Sequence, residues 1–311
     1  MKAFRRTLAF LLIAATVFSG CARWRSPAQP EPYELEAGAY PIVSDAQEQP
    51  PKTPQQPEKP PIEEEPPDHE DVAAANPDFD AISQLDSQAH GWGHGGPVDS
   101  RNRSQGALMF QERYGHFDAH FIKPDSERIY LTFDQGYEYG FTPVILDTLQ
   151  EKGVSGAFFL TMHFARSHPD LVRRMIDEGH VLGNHSTAHR SFPAMTLTDA
   201  ANDVMRLHEY VKENFGYEMH LFRFPEGSFS EQTLALLQSL GYTSVFWSFA
   251  YRDWEIDNQP LTIDAINLMT SRAHPGGIYL LHSVSRTNSE VLGEVIDLLR
   301  AQGFEFARLE L

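Results

Sequence analysis

The sequence predicts an α/β fold: an irregular (β/α) barrel of about seven parallel strands behind a disordered amino-terminal tether. Three observations lead there. From residue 127 onward, short apolar runs alternate with stretches of helical period, the pattern that builds a parallel sheet. Capping and breaking residues stand where the two kinds of segment meet. Residues able to do chemistry collect at the carboxyl ends of the apolar runs, where a barrel of this kind keeps its active site. A doubly wound open sheet is the competing arrangement, but no Gly-rich phosphate fingerprint follows the first strand.

At the amino terminus, Lys2, Arg5 and Arg6 precede an apolar run from Leu8 to Phe18 that is too short to span a bilayer and reads as a secretory signal. Small Ser19 and Gly20 then lead to Cys21, the only cysteine in the chain. The stretch "FSGC" resembles a bacterial lipobox with Phe18 at its head. Residues 1–20 are therefore read as a lipoprotein signal peptide and Cys21 as its lipidation site. The expectation is an extracytoplasmic protein, lipid-anchored to a membrane without a spanning helix. With Cys21 so used, no disulfide is possible inside the folded domain.

Residues 21–90 are rich in Pro, Glu, Gln and Ala around "PKTPQQPEKPPIEEEPP", and read as a disordered tether extended by polyproline-like backbone and like charge. This tether holds 15 acids and 4 bases, well over half of the chain's formal net charge of −18. Neither part carries the basic footprint of a nucleic-acid binder. The folded domain, 91–311, has enough chain for one sizeable core. Its first part, 91–126, contains "GWGHGG" and "YGHFDAHF" and reads as an extension packed on the barrel, without assigned chemistry.

The apolar runs are 128–133, 154–161, 180–183, 220–224, 242–248, 277–282 and 304–311, with helices expected near 143–152, 168–178, 197–214, 230–240, 262–273 and 289–302. Pro143 sits at a first helical position, Thr198 precedes "DAANDVMRL", and glycines follow the helix ends.

The polar residues that matter follow those runs. The first strand, "IYLTF", delivers Asp134, Gln135 and Gly136, and a buried carboxylate there costs several kcal/mol unless paired or employed. The third run leads into "GNHSTAHR", where His185 and His189 have H-x-x-x-H spacing; on a helical turn both imidazoles face one way, as for a divalent metal. Arg223 precedes "FPEG", a loop whose backbone N–H groups suit a developing oxyanion. A salt bridge from Arg223 to Asp253 is its structural alternative. Asp253 lies in "YRDW", and His282 ends the apolar strand "IYLLH", where it is either functional or a satisfied core histidine. No Ser or Cys sits in a nucleophile elbow.

In order and position, "TFDQG", "HSTAH", "RFPEG", "RDW" and "LLH" resemble the five motifs of polysaccharide deacetylases of the NodB-homology, or carbohydrate esterase 4, type, over roughly residues 125–311. "FDQGYEYGFTPVILDTL", "FWSFAYRDWEIDNQ" and "AHPGGIYLLHSVSRTNSE" resemble more narrowly the delta-lactam-biosynthetic de-N-acetylases of spore-forming bacteria. Those enzymes deacetylate N-acetylmuramic acid in peptidoglycan, after which the amine cyclises to the muramic lactam of spore cortex. The resemblance implies Asp134 as general base and His282 as general acid, with Arg223 and Asp253 orienting and tuning the base. It further implies the backbone N–H of Glu226 at the oxyanion and His185 and His189 as metal ligands. Most of the family has a second Asp where this chain has Gln135. The subfamily resembles this chain in carrying an amide there, so Gln135 is expected to be a weak ligand and metal affinity low. Zinc is the first expectation, with cobalt, nickel or manganese as alternatives. The expected partners are peptidoglycan strands and, through Cys21, a membrane; the chain is expected to be monomeric. A glucosamine-directed deacetylase and a non-catalytic glycan binder are the competing readings.

Overall fold

The computed structural model describes residues 77–93 and 96–310. The lipobox, Cys21 and most of the tether lie outside the described residues. Within them the strands are β1 (His90–Gly91), β2 (Ala119–His120), β3 (Tyr130–Gln135), β4 (Ala157–Leu160), β5 (Val181–Asn184), β6 (Leu221–Phe222), β7 (Ser228–Phe229), β8 (Thr243–Val245) and β9 (Ile278–His282). The helices are α1 (Phe79–Ser83), α2 (Gln105–Tyr114), α3 (Thr142–Lys152), α4 (Met162–Ser167), α5 (Pro169–Asp177), α6 (Leu197–Phe215), α7 (Glu231–Ser239), α8 (Thr262–Ser271) and α9 (Arg286–Ala301).

Seven strands form one parallel sheet in the order β2-β8-β6-β5-β4-β3-β9. The sheet curls on itself because the chain beyond β8 crosses to β9. The N–H groups of Ser248 and Phe249 donate to the Ile278 carbonyl at 2.9 and 3.2 Å, and Leu280 donates back to Phe249 at 2.9 Å. The expected irregular barrel is thus the observed architecture. Strands β3, β4 and β5 are buried throughout, which is why they read as continuous apolar runs rather than alternating ones.

Three boundaries differ from expectation. The folded part reaches back at least to Pro77, ahead of the boundary placed at 90, because α1 buries Ile82 and its end receives the Gln232 carboxamide at the carbonyls of Ser83 (3.0 Å) and Leu85 (3.1 Å). The run 304–311 supplies no strand to the sheet. Both sides of β3 are already taken, by β4 and β9, and among the described residues the run's only β-bridge joins Phe306 to Ile129, just ahead of β3, while Arg308 reaches the Gly179 carbonyl at 3.2 Å. The seventh strand is instead β2, from the amino-terminal extension. Finally, α6 is capped by Thr196, not Thr198: Thr196 is extended and its hydroxyl accepts from the Asp199 N–H at 3.1 Å. Helix α4 has no counterpart among the expected helices; at six residues it is too short to display a period.

Register fixes which side chains share a face. Asp134 lies opposite Phe159 on one side and His282 on the other, and Phe159 lies opposite Gly183. In a parallel sheet such neighbours point the same way, so these four positions line the interior, while Gln135, Leu160 and Asn184 line the opposite face. Gly183 is required by the aromatic ring beside it, since a Cβ there would overlap the Phe159 ring. Gly183→Ala is therefore expected to destabilise the domain by about 1–3 kcal/mol, seen as a lower midpoint in urea unfolding with an unchanged slope.

Candidate active site

The site is assembled from the ends of β3, β5, β6 and β9 and from the loops that follow β5, β6 and β8. Arg223, directly after β6, is wholly buried. Its Nη1 donates to Asp134 Oδ1 at 2.9 Å, its Nε to the Val245 carbonyl at 3.0 Å and its Nη2 to the Phe246 carbonyl at 3.3 Å. The guanidinium carbon stands 4.1 Å from the centre of the Phe159 ring, close enough for a cation–π contact. Burial is the largest influence on Asp134 and opposes its ionisation, but His185, Arg223 and His282 together outweigh it and hold the carboxyl below the usual range. Arg223 is the partner that acts at neutral pH, because burial pushes His185 down to about 4 and leaves that imidazole uncharged.

His185 Nδ1 bonds to the Arg223 carbonyl at 2.8 Å, while Nε2 lies 3.4 Å from Asp134 Oδ2. The ring centres of His185 and His189 are 4.9 Å apart. The expectation of a helical turn over these residues is not met. Asn184 Oδ1 accepts from the Ser186 N–H at 2.8 Å, and the buried Asp203 carboxylate accepts from Thr187 (2.8 Å) and Ala188 (3.2 Å). With their N–H groups taken by side chains, the residues form a loop, and Ser186 (φ 76°) and His189 (φ 50°) are left-handed. Non-glycine residues in that region cost of order 1–3 kcal/mol each and persist where the surroundings hold them. Asp203, on α6, supplies that hold; burial raises its pKa against the hydrogen bonds from Thr187 and Ala188.

His282 and Asp253 form a second pair. His282 Nδ1 is 2.7 Å from Asp253 Oδ1, and its own N–H donates to Asp253 Oδ2 at 2.8 Å. Burial works against protonation of His282, but Asp253 and, more weakly, Asp134 raise its pKa above the ordinary value. Asp253 is thus directed at His282, and neither at Asp134 nor at Arg223 as the resemblance implied and the salt-bridge alternative required. Behind it, Asn288 Nδ2 donates to Asp253 Oδ2 at 2.6 Å, and Tyr251 donates to Asn288 Oδ1. Trp254, 46% exposed, stands with its ring 5.6 Å from the His282 ring.

Gln135, the residue after Asp134, departs furthest from expectation. Gln135 is still within β3, so alternation turns its carboxamide away from the interior. There it donates to the Ser283 hydroxyl and accepts from Thr142 at 3.5 Å. The structure does not bring it to the two histidines. A divalent metal fits part of this site. The bond from His185 Nδ1 to a carbonyl orients the ring and leaves Nε2 as a donor, the usual support for a ligating histidine. The third position is lacking, and among the described residues no group of three or more His, Cys, Asp or Glu side chains has metal-binding geometry.

The turn after Arg223, Pro225–Gly227, holds Glu226 at φ 57°. Its own two hydrogen bonds use the N–H groups of Gly227 and Ser228, leaving that of Glu226 outside them. Asn288, Tyr251, Asp203 and Phe159 were not singled out from the sequence. Each acts through another residue, and none is signalled by a motif of its own.

Comparisons with known proteins identify the family and the fold. The sequence profile of the family described as polysaccharide deacetylase matches residues 122–245. The peptidoglycan-N-acetylmuramic acid deacetylase PdaA of Bacillus subtilis is 43% identical over 196 residues, covering 62% of this chain and 74% of that protein. A solved structure of B. subtilis PdaA, described as a family 4 carbohydrate esterase, superposes with a TM-score of 0.68 at 38% identity, covering 72% of this chain and 96% of that one. A peptidoglycan-N-acetylglucosamine deacetylase of Bacillus cereus is 30% identical over 184 residues, covering 58% of this chain and 66% of that protein.

Replacing Asp253 by Asn removes the carboxylate that raises the His282 pKa. A raised pKa keeps the proton on as pH rises past 6.5, so Asp253→Asn should let it leave earlier. An NMR titration of the His282 ring is expected to show a lower midpoint than in the wild-type protein.

Proposed function

Because the chain belongs to the polysaccharide deacetylase family, carbohydrate esterase family 4, we propose that it is a peptidoglycan N-deacetylase acting on N-acetylmuramic acid. The observation that carries the reading is a carboxylate and an imidazole on adjacent strands with opposed partners: Asp134 bonded to Arg223, which favours its ionised form, beside His282 bonded to Asp253, which favours its protonated form. Amide hydrolysis needs such a base and acid at once.

In the proposed sequence Asp134 takes a proton from a water whose oxygen attacks the acetyl carbonyl carbon. The oxyanion that forms faces the backbone N–H of Glu226. His282 gives its proton to the amide nitrogen, the C–N bond breaks, and acetate and a free amine leave. A divalent metal, zinc first and cobalt, nickel or manganese as alternatives, would be held by His185 and His189 and would polarise the carbonyl as a Lewis acid. With Gln135 facing elsewhere, affinity for that metal is expected to be low.

The choice of muramic acid over glucosamine rests on the greater identity to the relative named for N-acetylmuramic acid, 43% against 30%. Formation of muramic lactam in spore cortex is part of the proposal. So is an extracytoplasmic position, with the domain tethered to a membrane through lipid on Cys21, supported by the lipobox-like "FSGC". The displaced Gln135 favours one other reading, a glycan-binding protein without turnover.

Mass spectrometry of muropeptides from glycan strands treated with the protein tests all of this. The expected product lacks the acetyl group on muramic acid. Loss from glucosamine would reassign the sugar, and sugar binding without acetate release in any metal would point to the binder. Asp134→Asn is expected to lower acetate release by about 10³-fold or more and His282→Ala by about 10²–10⁴-fold; activity surviving Asp134→Asn overturns the mechanism. In calorimetry, zinc is expected to bind weakly, and His185→Ala to abolish that binding.

A further inference from the structure

The segment His90–Gly93 takes no part in the chemistry just proposed, yet it grips the turn on which that chemistry depends. β1 pairs antiparallel with β7, the two residues that leave the Pro225–Gly227 turn, and among the described residues β7 has no other strand partner. The ladder then runs into the turn itself, where the Trp92 N–H donates to the Gly227 carbonyl at 2.8 Å. Gly227 has φ +64°, and the space where its Cβ would stand is filled from two directions, by the Trp92 carbonyl and by the ring of Trp247.

The Trp92 side chain makes the second connection. Its indole Nε1 donates to the Trp247 carbonyl at 2.9 Å. That carbonyl lies one residue beyond the Phe246 carbonyl that receives the Arg223 guanidinium. The ring is buried, with the Phe110 and Phe121 rings centred 4.8 and 5.0 Å away. One residue therefore ties together the turn that follows Arg223 and the strand extension on which Arg223 leans. Glu226, left-handed and without glycine's freedom, keeps its conformation only while both flanks of the turn are held.

We infer that Trp92 is a positioning residue for deacetylation: its main chain and indole clamp the Pro225–Gly227 turn so that the Glu226 N–H stays aimed at the oxyanion, making the amino-terminal extension part of the catalytic unit. This rests on the reading of that N–H as the oxyanion donor. A purely structural Trp92 would lower stability alone.

The experiment uses the full chain and compares Trp92→Ala, Trp92→Phe and Ile82→Ala, the last removing packing from the same extension without touching the turn. Acetate release from peptidoglycan strands is measured well below each variant's melting temperature. Trp92→Ala is expected to lower kcat by about tenfold or more with KM changed by less than about twofold. Trp92→Phe, which keeps a ring and loses the indole bond, should fall between it and the wild type, and Ile82→Ala should keep wild-type kcat. Amide hydrogen exchange across residues 224–229 is expected to be at least about fivefold faster in Trp92→Ala, with 130–135 unchanged. Equal kcat in Trp92→Ala and Ile82→Ala, or unchanged exchange at 224–229, overturns the inference; if Trp92→Ala does not fold, Trp92→Phe decides by the same measurements. Should the wild-type protein release no acetate, the deacetylase reading fails by itself, and the exchange measurement still judges the clamp.

Discussion

The guanidinium of Arg223 has no contact with solvent and lies 2.9 Å from the Asp134 carboxylate. Removing two such charges from water costs several kcal/mol per ion, and their attraction repays this only when the remaining donors and acceptors are satisfied. Here they are engaged by two main-chain carbonyls and an aromatic face beneath the cation. The pair thus dictates its surroundings: the carbonyls of Val245 and Phe246 must turn inward, and Phe159 must lie flat under the guanidinium. For that ring to fit, the next strand must carry glycine at 183. Through its carbonyl the same arginine also fixes the tautomer and tilt of His185. A single residue after a two-residue strand therefore organises base, histidine and barrel interior together.

A second constraint is the two-residue period of strands. Asp134 and Gln135 are neighbours in sequence and opposites in space, and the amide serves the outer face by joining β3 to Ser283 after β9 and to Thr142 at the start of α3. An uncharged carboxamide suits that place, since it donates and accepts at once and brings no charge to bury. The absence of a second carboxylate follows from the same geometry: on this face it would leave a charge with two hydroxyl partners. What the histidine pair lacks as a metal site, the strand junction has as a hydrogen-bonded tie.

Much of this was legible in the sequence because it depends on local pattern. The parallel strands β3, β4, β5, β6, β8 and β9 announced themselves as apolar runs, and the residues at their ends fell into order. Legibility ended where a neighbour from elsewhere in the chain decides the outcome. The final run, "FEFARLEL", has the composition of a strand, and only the occupancy of both sides of β3 keeps it out of the sheet. Ala119–His120, too short to show a period, took the seventh place because β8 had a free side. His185 and His189 have helical spacing, yet the His189 N–H that would close the turn donates to the Ser186 hydroxyl at 2.8 Å instead. The opposite orientations of Asp134 and Gln135 follow from strand alternation, because β3 extends to Gln135.

Adjacent strands place Asp134 and His282 about 4.8 Å apart at the backbone, and each favours the charged form of the other. Two further charges widen the separation of their pKa values by acting in opposite senses. Arg223 makes protonation of Asp134 unfavourable, while Asp253 makes loss of the proton from His282 unfavourable. Each partner is more deeply buried than the group it tunes, so neither is screened by solvent as it acts. Asp253 depends in turn on Asn288, which binds its far oxygen and is itself held by the Tyr251 hydroxyl, leaving the near oxygen on His282. The separation between the Asp134 and His282 pKa values is thus a property of four groups in alternation, Arg223, Asp134, His282 and Asp253, and removing either outer charge narrows it.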